Sequence, residues 1–130
     1  RMVFVGSIPL KIEKIYKVTL EAQEAAVAAI QPGRRMCDID EVARKIIRDA
    51  GFGDQFTHGL GHGLGLEVHE APSLSWRSKE ELAPGMVVTV EPGIYLPGVG
   101  GVRIEDDVLV TALGHRVLTH LDKSLEGARV

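Results

Sequence analysis

The chain has 130 residues, of which 45% are hydrophobic and 25% charged, and its net charge is −3. That composition fits one globular domain or a large piece of one, and excludes a disordered segment or a coiled coil. Lysines and arginines are mixed with acids, which excludes a nucleic-acid footprint, and no apolar run approaches the ~20 residues that span a bilayer.

Arg1 opens directly into the strand-like run Met2-Val3-Phe4-Val5-Gly6, the pattern of a chain entered partway through a fold. From Pro9 to Ile30, the residues Ile12, Ile15, Tyr16, Thr19, Gln23, Ala26, Val27 and Ile30 recur at three- and four-residue spacing. That period predicts a long helix, with Pro9 in its first turn and Gln31-Pro32-Gly33 as its stop. The alanine-rich stretch from Ala22 to Ala29 implies close packing against another element. A second helix is predicted from about Ile39 to Ala50, with Asp38 as N-cap, Glu41 at capping-box spacing and Gly51 as the C′ glycine. Cys37 is the single cysteine, so no disulfide forms within the chain, and a reducing, cytoplasmic compartment is the simpler expectation.

After Gly53 the period changes to two. Strands are expected over 58–68, 86–90 and 102–111, with 116–119 closing a hairpin across 112–115. Two helices followed by a run of strands predict an α+β fold, with helices layered on a largely antiparallel sheet.

The segment from His58 to Glu70, HGLGHGLGLEVHE, holds three of the five histidines. His58 and His62 have the spacing of helical zinc ligands, but Gly59, Gly61, Gly63 and Gly65 would each cost a helix ~1 kcal/mol relative to alanine. As a strand, its glycine face lets another backbone or a ligand come close, and its other face carries His58, Leu60, His62 and Leu64. On a straight strand His58 and His62 stand ~13 Å apart, too far to share one ion. His69 has the opposite parity, so a bulge or bend is required to bring it to the same cavity. His115 and His120 are read as surface or turn residues.

Glu91 ends the apolar run Met86-Val87-Val88-Thr89-Val90 and precedes Pro92-Gly93. A carboxylate fixed by a turn at the end of a buried strand points either into a site or into solvent. Glu105 lies in an alternating stretch where Val102, Ile104 and Val108 share one face and Arg103, Glu105 and Asp107 the other. By itself that second face suits a solvent-facing charged stripe. Together His62, Glu91 and Glu105 form a mixed nitrogen and oxygen set suited to Mn, Zn, Co or Fe.

Three motifs carry a resemblance: HGLGHGLGLEVHEAP from His58, GMVVTVEPGIY from Gly85, and GVRIEDDVLVT from Gly101. In order and spacing they resemble the proline-directed branch of the pita-bread metallopeptidases, the Xaa-Pro aminopeptidases and Xaa-Pro dipeptidases (prolidases). Residues 1–6 and the two helices look similar too, so the resemblance covers nearly the whole chain. It implies the C-terminal half of a pita-bread catalytic domain over 1–130, with helices on a curved, mostly antiparallel sheet. The family's upstream half and N-terminal domain would lie outside this chain. The family site holds two divalent ions, usually manganese with cobalt or zinc as alternatives, on two aspartates, one histidine and two glutamates. By motif match, His62, Glu91 and Glu105 are the metal ligands here, and both aspartates would lie upstream of Arg1. Glu91 resembles the proton-shuttling glutamate, His58 and His69 the non-ligand histidines of the cleft, and Arg103 an arginine paired with acids beside the metals.

The implied reaction is metal-assisted hydrolysis of the peptide bond before proline, on a peptide or dipeptide substrate, in a protein that forms a homo-oligomer when intact. No nucleic-acid or membrane partner is implied. Three other readings share the fold. A methionine aminopeptidase-like enzyme usually carries its last glutamate in a different local sequence from Arg103-Ile104-Glu105-Asp106. A creatinase-like hydrolase works without metals, and an inactive binding module tends to lose ligands, whereas His62, Glu91 and Glu105 are all present here.

Overall fold

A computed structural model describes residues 1–130. Its elements in chain order are α1 (Leu10–Ala28), α2 (Met36–Asp49), a 3-10 turn (Gly53–Gln55), β1 (Gly61–Gly63), β2 (Glu70–Leu74), β3 (Val87–Val90), β4 (Gly93–Leu96), β5 (Gly100–Arg103), β6 (Asp106–Thr111) and β7 (Gly114–Val117). Five strands form one sheet in the order β2-β1-β3-β6-β7, and β4 and β5 form a separate two-stranded sheet. Every strand pairing is antiparallel. This is the α+β arrangement expected. No helix is long and apolar enough to cross a membrane.

The helical period translates directly into burial. Ile12, Ile15, Tyr16, Thr19, Ala22, Gln23, Ala26 and Val27 form the buried face of α1. α1 packs on α2, which presents Met36, Ile39, Ala43 and Ile47, and the small residues Ala22 and Ala26 are fully buried. The sheet completes the core with Leu60, Leu74, Val88, Val90, Val102, Ile104 and Val108. Ile15 is fully buried, so Ile15→Ala leaves a cavity as well as losing apolar contact. It should lower stability by about 2–5 kcal/mol, seen as a lower urea midpoint with an unchanged slope.

Several boundaries differ from those the sequence predicts. α2 begins at Met36, with Arg35 at the N-cap position and no side-chain cap. Asp38 instead sits in the first turn, where its charge suits the helix dipole and pairs with Arg35 at 3.0 Å. The loop before α2 is held by backbone bonds to the segment before β3, including Leu82 N–H to Arg34 C=O and Met36 N–H to Glu80 C=O. Those bonds let the helix start without a cap. Gly51 has φ +87°, the left-handed conformation of a C′ glycine. The run Met2–Gly6 makes only one bridge, from Phe4 to Arg129.

The expected strand over 58–68 reduces to β1, because only residues 61–63 pair in strand register, with β2 on one side and β3 on the other. The expected strand over 102–111 is two strands, β5 and β6, which belong to different sheets. β3 pairs with β6 up to Val90 opposite Asp106, and β4 pairs with β5 from Gly93 opposite Arg103. Both segments therefore leave the larger sheet for the smaller at the same level, with Glu91-Pro92 facing Ile104-Glu105. His115 lies in β7, half-buried, with its Nδ1 2.9 Å from the Ile30 carbonyl beyond the end of α1, rather than at the surface. His120 is exposed as expected.

Candidate metal centre and cleft

The candidate residues arrive from three directions. β1 brings His62, the end of β3 brings Glu91, and the segment between β5 and β6 brings Glu105. His62 Nε2 stands 3.0 Å from Glu91 Oε1. The Nδ1 of His62 lies 2.9 Å from the Gly63 carbonyl. A carbonyl only accepts, so Nδ1 must donate, and in the neutral ring Nε2 then carries the free lone pair toward the carboxylate. Lone pair facing carboxylate is an arrangement that a proton or a metal cation between them satisfies.

His58 differs from His62 in this respect. Its Nδ1 is likewise committed, to the Gly59 carbonyl at 2.7 Å, but its Nε2 lies 2.9 Å from the Tyr95 hydroxyl, which can donate to it. Its lone pair is therefore spoken for. His69 reaches the cleft through the irregularity its parity demands. The β1–β2 register shifts between His62 and Gly63, and the His69 ring ends 4.5 Å from the His62 ring, edge to face. His58, His62, His69, Glu91 and Arg103 line one cleft with Gly59, Gly61, Ser73 and Ser75, and none of the nine is hydrophobic.

A neighbouring cavity joins His62, His69, Glu91, Arg103, Glu105 and Asp107, so Glu105 lies on the same side of the sheet as His62. Burial, then the charges of Glu91 and Asp107, push the Glu105 carboxyl above its ordinary value, and Arg103 only partly opposes them. Arg103 also approaches Glu91 Oε2 at 3.6 Å. The expectation that His62, Glu91 and Glu105 close on one point needs correction. No group of three His, Cys, Asp or Glu side chains comes close enough to hold a metal ion. Glu91 is in contact with His62, Thr89 and Arg103, while Glu105 lines the neighbouring cavity beside it. What this chain supplies is a histidine–carboxylate pair with a second carboxylate beside it. The free Nε2, the oxygen-rich surroundings and the excess negative charge suit a divalent cation, so the donor set fits, while the chain's own residues fall short of a complete shell.

Sequence reasoning missed several supporting residues. Asp40 is fully buried and pairs with Arg44 one turn on, at 2.7 Å. The pair holds the histidine segment by its backbone: Arg44 donates to the Phe56 and His58 carbonyls at 3.1 and 2.9 Å, and Asp40 accepts from Leu60 N–H at 3.0 Å. The signal was available, since an acid at the position after Ile39 and a base four residues later flank the apolar face of α2. Tyr95 left no comparable signal.

The model of metallopeptidase family M24 matches residues 1–112. An uncharacterized peptidase of Staphylococcus saprophyticus is 53% identical over 123 residues, which are 95% of this chain and 35% of that protein. The crystal structure of the prolidase from Pyrococcus horikoshii OT3 superposes with TM-score 0.92 at 48% identity, over 95% of this chain and 35% of that one. The Xaa-Pro dipeptidase from Bacillus anthracis gives TM-score 0.92 at 50% identity, over 95% and 35%. The X-Pro aminopeptidase from Thermotoga maritima MSB8 gives 0.90 at 44%, over 94% and 35%. The chain thus spans about a third of the length of the proteins it matches, and two helices on antiparallel strands match the C-terminal half of their pita-bread fold.

Proposed function

The chain belongs to metallopeptidase family M24, and from that membership we propose that it contributes part of the active site of a peptidase that hydrolyses the bond preceding proline. The observation that carries the metal site is the pairing of His62 Nε2 with Glu91 Oε1 while Nδ1 is fixed by Gly63. The proline preference rests on the names of the matched structures, a prolidase, an Xaa-Pro dipeptidase and an X-Pro aminopeptidase. Dipeptidases and an aminopeptidase match the same region at similar identity, so this chain carries what they share rather than what separates them.

His62, Glu91 and Glu105 are assigned as ligands of divalent cations, manganese first, with the remaining ligands supplied by an upstream half of the same domain. When bound, such cations would supply Lewis-acid chemistry, polarising the scissile carbonyl and lowering the pKa of a water toward neutral. The chain's own residues do the rest. Glu91 takes a proton from the water that attacks the carbonyl carbon and passes it to the proline nitrogen as the C–N bond breaks. His69, exposed at the cleft beside His62, contacts the substrate carbonyl as its charge develops. His58 is held by Tyr95 and lines the cleft. Arg103 balances Glu91 and Glu105. A bond to proline has no N–H, so recognition rests on ring shape and on the free terminus.

The test uses the full-length protein that carries this chain. Purified His62→Ala should lose most of its bound manganese, and His69→Ala should keep its manganese while its turnover of an Xaa-Pro dipeptide falls. Metal analysis of both variants decides the assignment. Equal metal loss in the two would show that the histidine roles are drawn wrongly.

A further inference from the structure

We propose that the Thr89 hydroxyl is the positioning group that holds His62 and Glu91 in place for a shared cation. The inference rests on the reading of those two residues as ligands. Thr89 lies in β3, two residues before Glu91, so alternation puts both side chains on one face. It is 1% exposed. Its Oγ1 makes two bonds, to the His62 backbone nitrogen at 3.0 Å and to Glu91 Oε1 at 2.9 Å. Chemistry fixes both directions. A backbone N–H only donates, so the hydroxyl accepts from His62, and a carboxylate only accepts, so the hydroxyl donates its single hydrogen to Glu91. The Oε1 that receives this hydrogen is the oxygen that faces His62 Nε2 at 3.0 Å. His62 N, Thr89 Oγ1, Glu91 Oε1 and His62 Nε2 therefore close a ring in which one hydroxyl sets the backbone of one ligand against the carboxylate of the other.

The setting in the sheet shows that this bond is more than strand pairing. β1 and β3 are joined on either side by ordinary backbone bonds, Glu91 N–H to Leu60 C=O at 2.8 Å and Leu64 N–H to Val87 C=O at 3.0 Å. Between them a side chain takes the His62 N–H. Gly61 makes the approach possible, because a Cβ there would overlap the Thr89 carbonyl and hydroxyl. A valine at 89 would fill nearly the same volume and suit a strand as well. Thr89→Val therefore removes the hydroxyl and its two bonds while keeping nearly the whole volume of the side chain. Groups that orient metal ligands from behind in this way typically change metal affinity 10–100-fold when removed.

The experiment compares wild type, Thr89→Val, Thr89→Ser and His62→Ala in the full-length protein. Metal-stripped protein is titrated with manganese by calorimetry, and the thermal midpoint of the stripped protein is recorded separately. Thr89→Val should bind manganese roughly 10–100-fold more weakly, and Thr89→Ser, which keeps the hydroxyl, should bind as wild type does. Thr89→Ala carries the same expectation and stands in if the valine variant does not fold. A lower midpoint with wild-type affinity in Thr89→Val would mean that the hydroxyl serves strand pairing alone, and would overturn the inference. Affinity falling as far in Thr89→Ser as in Thr89→Val would overturn it too, since the hydroxyl would not be the operative group. In either case His62→Ala separates the ligand role of His62 from the positioning role of Thr89. Manganese lost in His62→Ala leaves the ligand reading standing without Thr89, and manganese retained there overturns both.

Discussion

Glu91→Gln in the full-length protein should lower kcat/KM for an Xaa-Pro peptide by at least about a thousandfold. Glutamine keeps the size of the side chain but loses its charge and one acceptor. Glu91 Oε1 receives the Thr89 hydroxyl and faces His62, and Oε2 faces Arg103. An amide in either orientation sets its N–H2 group against one of those donors. A cation would lose a charged ligand, and the departing nitrogen would lose the group that delivers its proton. Kinetics at saturating manganese, alongside metal analysis, separate the two losses. A variant that kept a tenth of wild-type turnover would remove Glu91 from the site.

Asp106→Asn should cost about 3 kcal/mol of stability at neutral pH. Asp106 is 1% exposed, and four donors from separate parts of the chain converge on it: Arg1 at 2.7 Å, Gln23 at 2.8 Å, Thr119 at 2.7 Å and Lys123 at 2.9 Å. Burial alone would raise its pKa, but the hydrogen bonds from Arg1, Lys123, Thr119 and Gln23 outweigh it and bring it down to about 2, from an ordinary 3.8. The folded carboxylate is therefore the weaker proton binder. Its contribution is fully present above about pH 4 and is lost as pH falls through about 2. The gap corresponds to roughly 2.5 kcal/mol. Asparagine leaves Lys123 and Arg1 charged beside a neutral amide, and removes that acid-sensitive step. Urea midpoints at pH 7 and along a series from pH 5 to pH 2 test both halves. An unchanged midpoint at pH 7 would show that the network is decorative.

Legibility in the sequence followed the range of the forces involved. Both helices were readable because their apolar period is a local property, and Ile12, Ile15, Tyr16 and their partners are buried where that period puts them. Glu91 was readable as a strand-end acid before a turn. The histidine segment reads as one long strand because its glycines alternate, yet only Gly61–Gly63 pairs as strand, and pairing is a tertiary fact. Asp106 shows the same limit from another side. Its parity places it with Val102, Ile104 and Val108 on the buried face, but its partners Gln23 and Lys123 lie 83 and 17 residues away. The incomplete closure of His62, Glu91 and Glu105 was invisible for a similar reason, since the three come from different parts of the chain and their separation is set by tertiary packing.

The passage of two strand segments from the large sheet to the small one bears on which lengths can change over evolution. The β4–β5 hairpin turns at Pro97-Gly98-Val99, and the Leu96–Gly100 pair closes it. Residues added at that tip extend outward and leave the spacing between Glu91 and Glu105 untouched. A single residue gained or lost at 91–92 or 104–105 is different. The register is pinned on one side by Val90 with Asp106 and on the other by Gly93 with Arg103. A slip there turns every following side chain to the opposite face. Descendants of this sequence are thus free to lengthen the hairpin and reshape whatever meets its tip, while the two short crossings beneath it stay fixed in length.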